Sequence, residues 1–378
     1  MFITDRHELR KYTSEYRVWQ GIPSIEVTKK GRIFSTFYSG EEKEKVGNFA
    51  VLVMSDDGIS FTEPVAVAYE ENQRCFDPCI WIDPLDRLWF TWTVMPKGGV
   101  WGVICEAPDA EELVWSSPFL IGREVMMNKP TVLTTGEWLF PIAAWDMRFM
   151  EEMIQALGLT FPPYYYCSDE EPGVFVYESC DCGKSFRKLG GTRLVDTEFC
   201  EHSVVERKDE QLVMFVRTKY GVGVARSDDK GRTWTEDKAS AIYGPGTRFH
   251  VQRLKSGRIL MVYHVDYREE YQGRNNLMAM LSDDDCKTWK YRLMLDPRNQ
   301  VSYPDSKEAD DGYIYITYDR ERGAGKHSMD EVYASAREIL YARITEEDIM
   351  AGKLTNEGSR LQCVISKLDQ YKGADPFR

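Results

Sequence analysis

The chain has 378 residues, 43% of them hydrophobic and 29% charged, with a net charge of −13 and a pI near 5.1. The length allows a large core and the composition is that of an ordinary globular protein. No basic stripe interrupts the acidic background, which argues against a nucleic-acid binder, and no apolar run approaches the roughly 18 residues of a membrane span.

The opening residues, MFITDRHELRKYTSEYRVWQ, contain no apolar core followed by a small-residue cleavage site. A cytoplasmic location is therefore expected, and the segment is expected to help close the fold. The nine cysteines fit no zinc spacing, and Cys180 and Cys182 are too close for an ordinary disulfide. Reduced thiols, with no metal or cofactor, are the expectation.

From Gly21 onward the chain repeats itself. Units begin at Gly21 (GIPSIEVTKKGRIFSTFYSG), Asp77 (DPCIWIDPLDRLWFTWTV), Asn128 (NKPTVLTTGEWLFPIAAW), Glu201 (EHSVVERKDEQLVMFVRT), Arg248 (RFHVQRLKSGRILMVYHV) and Ser302 (SYPDSKEADDGYIYITYD). Each has two strand-length runs, rich in β-branched and aromatic residues, around turn chemistry such as Lys-Ser-Gly or Asp-Asp-Gly. A third run follows in most units, for example FAVLVMS, GVFVYES, VGVARS and NLMAMLS.

Directly after that third run comes a recurring phrase: SDDGISF at 55–61, SCDCGKSF at 179–186, SDDKGRTW at 227–234 and SDDDCKTW at 282–289. Ser and Asp side chains there can accept backbone N–H groups of a tight turn, Gly can take a positive φ, and the aromatic packs back. These "Asp boxes" are structural staples between third and fourth strands. Cys286 replaces the Gly of the last copy, so strain or alteration is expected in that turn.

Four strands in each of six units make a six-bladed, all-β propeller of four-stranded antiparallel blades, one domain over 1–378. Short helical insertions are expected at 146–172, where MRFMEEMIQALG has helical spacing, and within SMDEVYASAREILYARITEEDIMAG of the last unit. The first of these is a long loop of the kind that borders pockets.

In a propeller, the starts of first strands and the ends of second strands rim one mouth of the axial channel. Those positions hold Gln20, Asp77, Asn128, Lys129, Glu201, His202, Arg248, His250, Tyr303 and Asp305 at the starts. At the ends they hold Tyr38, Trp92, Asp146, Arg217, His264, Asp266 and Asp319. For loop ends this is a dense set of titratable groups.

The Asp boxes, the six-fold pattern and GIPSI near the start resemble the sialidase (neuraminidase) superfamily, over most of the chain. That resemblance implies a Tyr nucleophile paired with a Glu, because a carboxylate nucleophile would be repelled by the acidic sugar's own carboxylate. SYPDS then implies Tyr303 as nucleophile and CEHSVVE implies Glu201 as its partner. FVRTKYG and GRNNLMAMLSDDD imply Arg217 and Arg274 as the carboxylate clamp, a task suited to a planar guanidinium.

The chain departs from the family at two places. Gly21 stands where the family has the Arg of Arg-Ile-Pro, leaving Arg17, Arg74 or Arg248 as candidate substitutes. The acid/base Asp has no plain counterpart; Glu44 in YSGEEKEKVGNF, with Glu41 and Glu42 beside it, and Asp77 in CFDPCIW are the candidates, Glu44 preferred. Arg248, His202, Asn128 and Lys129 complete the expected substrate-binding set. The resemblance implies an exo-acting glycosidase that removes a sialic acid or related acidic sugar from a glycan. A glycosidase or uronic-acid lyase for another sugar, and a non-catalytic glycan-binding propeller, are the alternatives.

Overall fold

The computed structural model describes residues 1–40, 44–145, 155, 158, 171–269, 272–322 and 336–368. It forms six antiparallel sheets, each made of consecutive strands. The innermost strands are Trp19–Val27, Arg74–Ile82, a broken pair Val125–Met126 and Thr131–Val132, Thr197–Glu206, His250–Arg253 and Val301–Glu308. The second strands are Ile33–Gly40, Leu88–Met95, Trp138–Ala144, Leu212–Thr218, Ile259–His264 and Ile314–Arg320. Almost every residue of these second strands is buried, since blades pack on both faces. This is the six-bladed propeller expected from the repeats.

Among the described residues, the ring closes without a strand shared between the N- and C-terminal parts. Blade 1 comes from the N-terminal part and blade 6 lies wholly within 301–367. Side chains bridge the seam: Gln20 Nε2 donates to the carbonyls of Arg337 (2.6 Å) and Ser366 (3.2 Å). Arg17, buried, reaches Gln20 and Ser366 and covers the Phe37 ring. The opening residues also add a fifth strand, Phe2–Ile3, to the outer edge of blade 1. Both observations fit a closing role for the N-terminal segment.

The last unit differs from its sequence reading. Its stretch EILYARI is strand, Glu338–Ile344, and among the described residues of the stretch only Glu346–Ala351 is helical. Helical spacing lost to the demand of the second strand, Ile314–Arg320, for a partner along its full length. Thr345 caps the short helix, and Gly352 ends it in the left-handed region at φ 65°. The expected helix in 146–172 lies outside the described residues, apart from isolated positions.

The Asp boxes staple third to fourth strands as expected. In blade 4, Ser227 Oγ accepts from the Gly231 N–H (2.8 Å), while Asp229 accepts the N–H groups of Arg232 and Thr233 and the Thr233 hydroxyl. Cys286 keeps the same turn, with φ 70° and its N–H 3.0 Å from Ser282 Oγ. The turn is strained but not altered; the buried thiol packs among Val205, Phe215 and Met280. Gly183 is the tightest case. It has φ 83°, and a Cβ there would lie 2.4 Å from the Trp89 ring of the neighbouring blade. Trp89 itself sits in an aromatic cluster with Trp81, Trp138, Phe140 and Phe186.

Gly183→Ala is expected to destabilise the protein by roughly 1–3 kcal/mol through overpacking and the forced φ, read as a lower denaturant midpoint. Hydrogen bonds led by Ser60, Ser185 and Thr233 lower Asp57, Asp181 and Asp229 to about 2 from 3.8. At Asp284 burial opposes the shift, but Thr288 and its neighbours still bring it to about 2. A folded pKa below the unfolded one gives stability that is complete above the unfolded value and lost as pH falls through the folded one. Stability should therefore fall between about pH 4 and pH 2, and Asp229→Asn should shrink that fall in acid-unfolding curves.

Candidate active site

The mouth is built by one repeated irregularity. Four innermost strands shift register near their starts: between Gly21 and Ser24, Phe76 and Cys79, Thr197 and His202, and Ser302 and Asp305. Each shift holds a non-glycine residue in the left-handed region: Ile22 (φ 57°), Asp77 (46°), Cys200 (48°) and Tyr303 (56°). Such conformations cost on the order of 1–3 kcal/mol each. In three of them the next residue is proline, Pro23, Pro78 or Pro304, which has no N–H to lose from the ladder. The bulges carry Asp77 and Tyr303 themselves and place Glu201 directly after Cys200.

Tyr303, Glu201 and Arg217 meet. Tyr303 Oη lies 3.3 Å from Glu201 Oε1, and Arg217 Nη1 donates to both, at 2.8 Å to Glu201 and 3.1 Å to Tyr303. All three are buried, and Glu201 Oε2 has no hydrogen-bond partner among the described residues. Burial, then the nearby Glu201, raises the Tyr303 pKa against three guanidiniums that pull it down. The phenol therefore keeps its proton in the free protein.

Two more arginines face the phenol ring, Arg322 at 4.0 Å and Arg274 at 5.6 Å from its centre. Arg274 has no ion-pair partner among the described residues, and burial followed by Arg322 and Arg217 lowers its pKa. Arg322 is held by Asp319 Oδ2 (2.8 Å), Ser302 Oγ (3.2 Å) and Glu44 Oε1 (3.1 Å). It runs directly across Gly21: a Cβ there would be 2.6 Å from Arg322 Cδ. Thus a guanidinium from blade 6, of a residue the sequence reading did not consider, fills the space beside Gly21. Arg17 is in the seam and Arg248 in the axis, while Arg74 stands on the far side of Glu44 with 2.7 Å to Oε2.

The two acid/base candidates differ in environment. Glu44 is half-exposed; desolvation acts to raise its pKa, but Arg74 and Arg322 outweigh it and hold it below the usual range. Asp77 is buried, its Oδ2 has no hydrogen-bond partner among the described residues, and burial pushes its pKa well above the usual range, with Glu201 and Glu44 adding to it against Arg74. Glu41 and Glu42, like Asp146, lie outside the described residues.

The remaining expected substrate binders form the layer below the mouth, about two residues further along the strands. Asn128 Nδ2 donates to the His202 carbonyl (2.6 Å) and its Oδ1 accepts from Arg248 Nε (2.8 Å). Arg248 also reaches the carbonyls of Pro23 and Met127. Lys129 Nζ is surrounded by the carbonyls of Ile25 and Ser306 and the carboxylates of Glu26 and Asp305. His202 faces the carbonyls of Cys200 and Phe175, and burial takes its pKa down to about 4. The polar groups of these four residues, expected as substrate contacts, meet other parts of the chain, where they align blades and brace the Glu201 bulge. A separate cavity of about 620 Å³ opens at the other end of the axis, lined by Glu26, Trp81, Lys129, Glu206, Arg253 and Lys307, and no member of the Tyr303 cluster lines it.

The profile of the BNR repeat-like domain family matches residues 31–316. No curated protein matches by sequence. Among solved structures, the leech intramolecular trans-sialidase complexed with 2,7-anhydro-Neu5Ac superposes with a TM-score of 0.65 at 13% identity, covering 90% of this chain and 70% of that one. The intramolecular trans-sialidase of Ruminococcus gnavus, in complex with oseltamivir carboxylate, gives 0.61 at 13% identity, covering 90% and 97%. An α-L-arabinofuranosidase of Fusarium graminearum gives 0.57 at 11%, covering 88% and 94%. Identities this low speak for the fold alone. The chain belongs to the BNR repeat-like domain family, and its six-bladed propeller is the fold of the sialidases.

Proposed function

We propose that the protein is a retaining exo-glycosidase that removes a carboxylated sugar, of the sialic acid type, from a glycan. The observation that carries this reading is the Tyr303–Glu201–Arg217 contact at the mouth. A neutral phenol can approach an anomeric carbon that bears a carboxylate, where an anionic nucleophile would be repelled. Its Oη attacks that carbon as Glu201 takes the phenolic proton, giving a glycosyl-tyrosine and releasing the glycan oxygen.

The departing oxygen needs a proton. Asp77, kept protonated by burial, is the donor on this reading; Glu44, held ionised by two guanidiniums, is not. Asp77, once ionised, then activates the water that frees the sugar. The surplus of guanidiniums around the phenol favours an anionic sugar. Against a lyase, both nitrogens of His202 are engaged, and His250 is buried against Asp305.

Release of a fluorophore from its α-sialoside, beside neutral and uronic-acid glycosides, tests the reading. Tyr303→Phe and Glu201→Gln should each cut kcat by roughly 10²–10⁴-fold. Cleavage only of a neutral glycoside would overturn the acidic-sugar assignment, and no turnover on any glycoside would turn the site into a binding site.

Asp77→Asn should slow substrates with poor leaving groups far more than activated aryl glycosides. It should also remove the alkaline limb of the pH–rate profile, because the acid works only while protonated. If Glu44→Gln shows that leaving-group dependence instead, Glu44 is the proton donor.

A further inference from the structure

Glu44 occupies an unusual place. Its Oε1 is 3.1 Å from Arg322 Nη1 and its Oε2 is 2.7 Å from Arg74 Nη2, so one carboxylate is shared between two guanidiniums from different blades. Both arginine side chains are largely buried, 6% and 15% exposed, whereas that of Glu44 is 39% exposed. The cations are fixed by groups other than Glu44. Arg74 donates to Tyr38 Oη (2.9 Å) and lies 4.3 Å over the Phe76 ring, and Arg322 is anchored on Asp319 and Ser302. The carboxylate between them is the most exposed of the three groups.

Gly21 shows that this arrangement is built in. With any side chain there, the Cδ and Cγ of Arg322 would be met at 2.6 and 2.8 Å. Three guanidiniums, Arg217, Arg274 and Arg322, face the Tyr303 side chain, and Arg74 joins them through Glu44. Such a cluster of guanidiniums suits a ligand carboxylate.

We propose that Arg322 and Arg74 form an anion subsite for the carboxylate of a sugar ligand, and that Glu44 fills it in the free protein as an internal competitor. The ligand's carboxylate displaces that of Glu44, which turns out to water, so the buried guanidiniums are never left without an anion. Because Arg322 lies against the Tyr303 ring, a carboxylate captured there brings the neighbouring ring carbon to the phenol. The proposal rests on reading the mouth as a glycan site, but not on turnover.

Binding of free N-acetylneuraminic acid and of its methyl ester, by calorimetry or ligand-observed NMR, tests it on the full chain. Wild type should prefer the acid to the ester. Glu44→Gln, at a half-exposed position, should tighten the acid by roughly tenfold if Glu44 holds the subsite about nine-tenths of the time, and should leave the ester unchanged. Gly21→Ala, which removes no charge, should weaken the acid by displacing Arg322, and Arg322→Met should abolish the preference. Unchanged or weaker acid binding by Glu44→Gln overturns the proposal, as does absence of acid binding by both proteins. Loss of turnover with this binding pattern intact sinks the hydrolase reading alone.

Discussion

A fully buried carboxylate, Asp305, is the constraint on which the rest of the ring depends. It accepts from Ser24 Oγ (2.6 Å) and the Ile25 N–H (2.9 Å) of blade 1. It faces Lys129 of blade 3 and Arg248 and His250 near the start of blade 5. Burial opposes its charge, but Lys129, His250 and Arg248 more than offset this and hold its pKa far below the usual range. Removing one partner of such a buried set typically costs about 3–5 kcal/mol, because the other charge stays behind. With no strand shared by blades 1 and 6 among the described residues, this convergence ties the blades together at the axis.

The geometry of the mouth follows from that anchor. Tyr303 lies two residues before Asp305 on the same strand, and the bulge between them turns the phenol to Glu201 and Arg217. Asp319 plays the matching part at the top of the next strand. It accepts from the Ile22 N–H (2.7 Å), Ser302 Oγ (2.8 Å) and Arg322 Nε (2.8 Å), so the strained Ile22 bulge and the arginine that crosses it share one acceptor. The strain at the mouth is thus borne by the axial layer beneath it, and the two layers divide their work: one aligns blades, the other presents reactive groups.

Much of this was legible in order along the chain. Period-2 runs and turn residues marked twelve inner strands, and Asp boxes marked the joins, because those features depend on neighbours a few residues apart. Tyr303, Glu201, Arg217 and Arg274 were found through a family resemblance and do meet. The repeated pairs Ile22-Pro23, Asp77-Pro78 and Tyr303-Pro304 were a visible signal of the bulges that went unread. Arg248, Asn128, Lys129 and His202 were read as substrate contacts and face carbonyls of other blades, because a polar residue at a strand start looks the same in sequence in either setting.

What the sequence determined by itself was the repeating blade, since strand periodicity and box turns are local and recur whatever surrounds them. Tertiary structure alone decided which charges meet. Arg322 lies 301 positions after Gly21 in sequence, yet fills the space that glycine leaves. Glu44 and Asp77 are both carboxylates near the mouth. Two guanidiniums outweigh burial and pull the pKa of the first down, while burial pushes that of the second up. Burial and charge partners across the ring set these differences, and they have no counterpart in the order of residues along one strand.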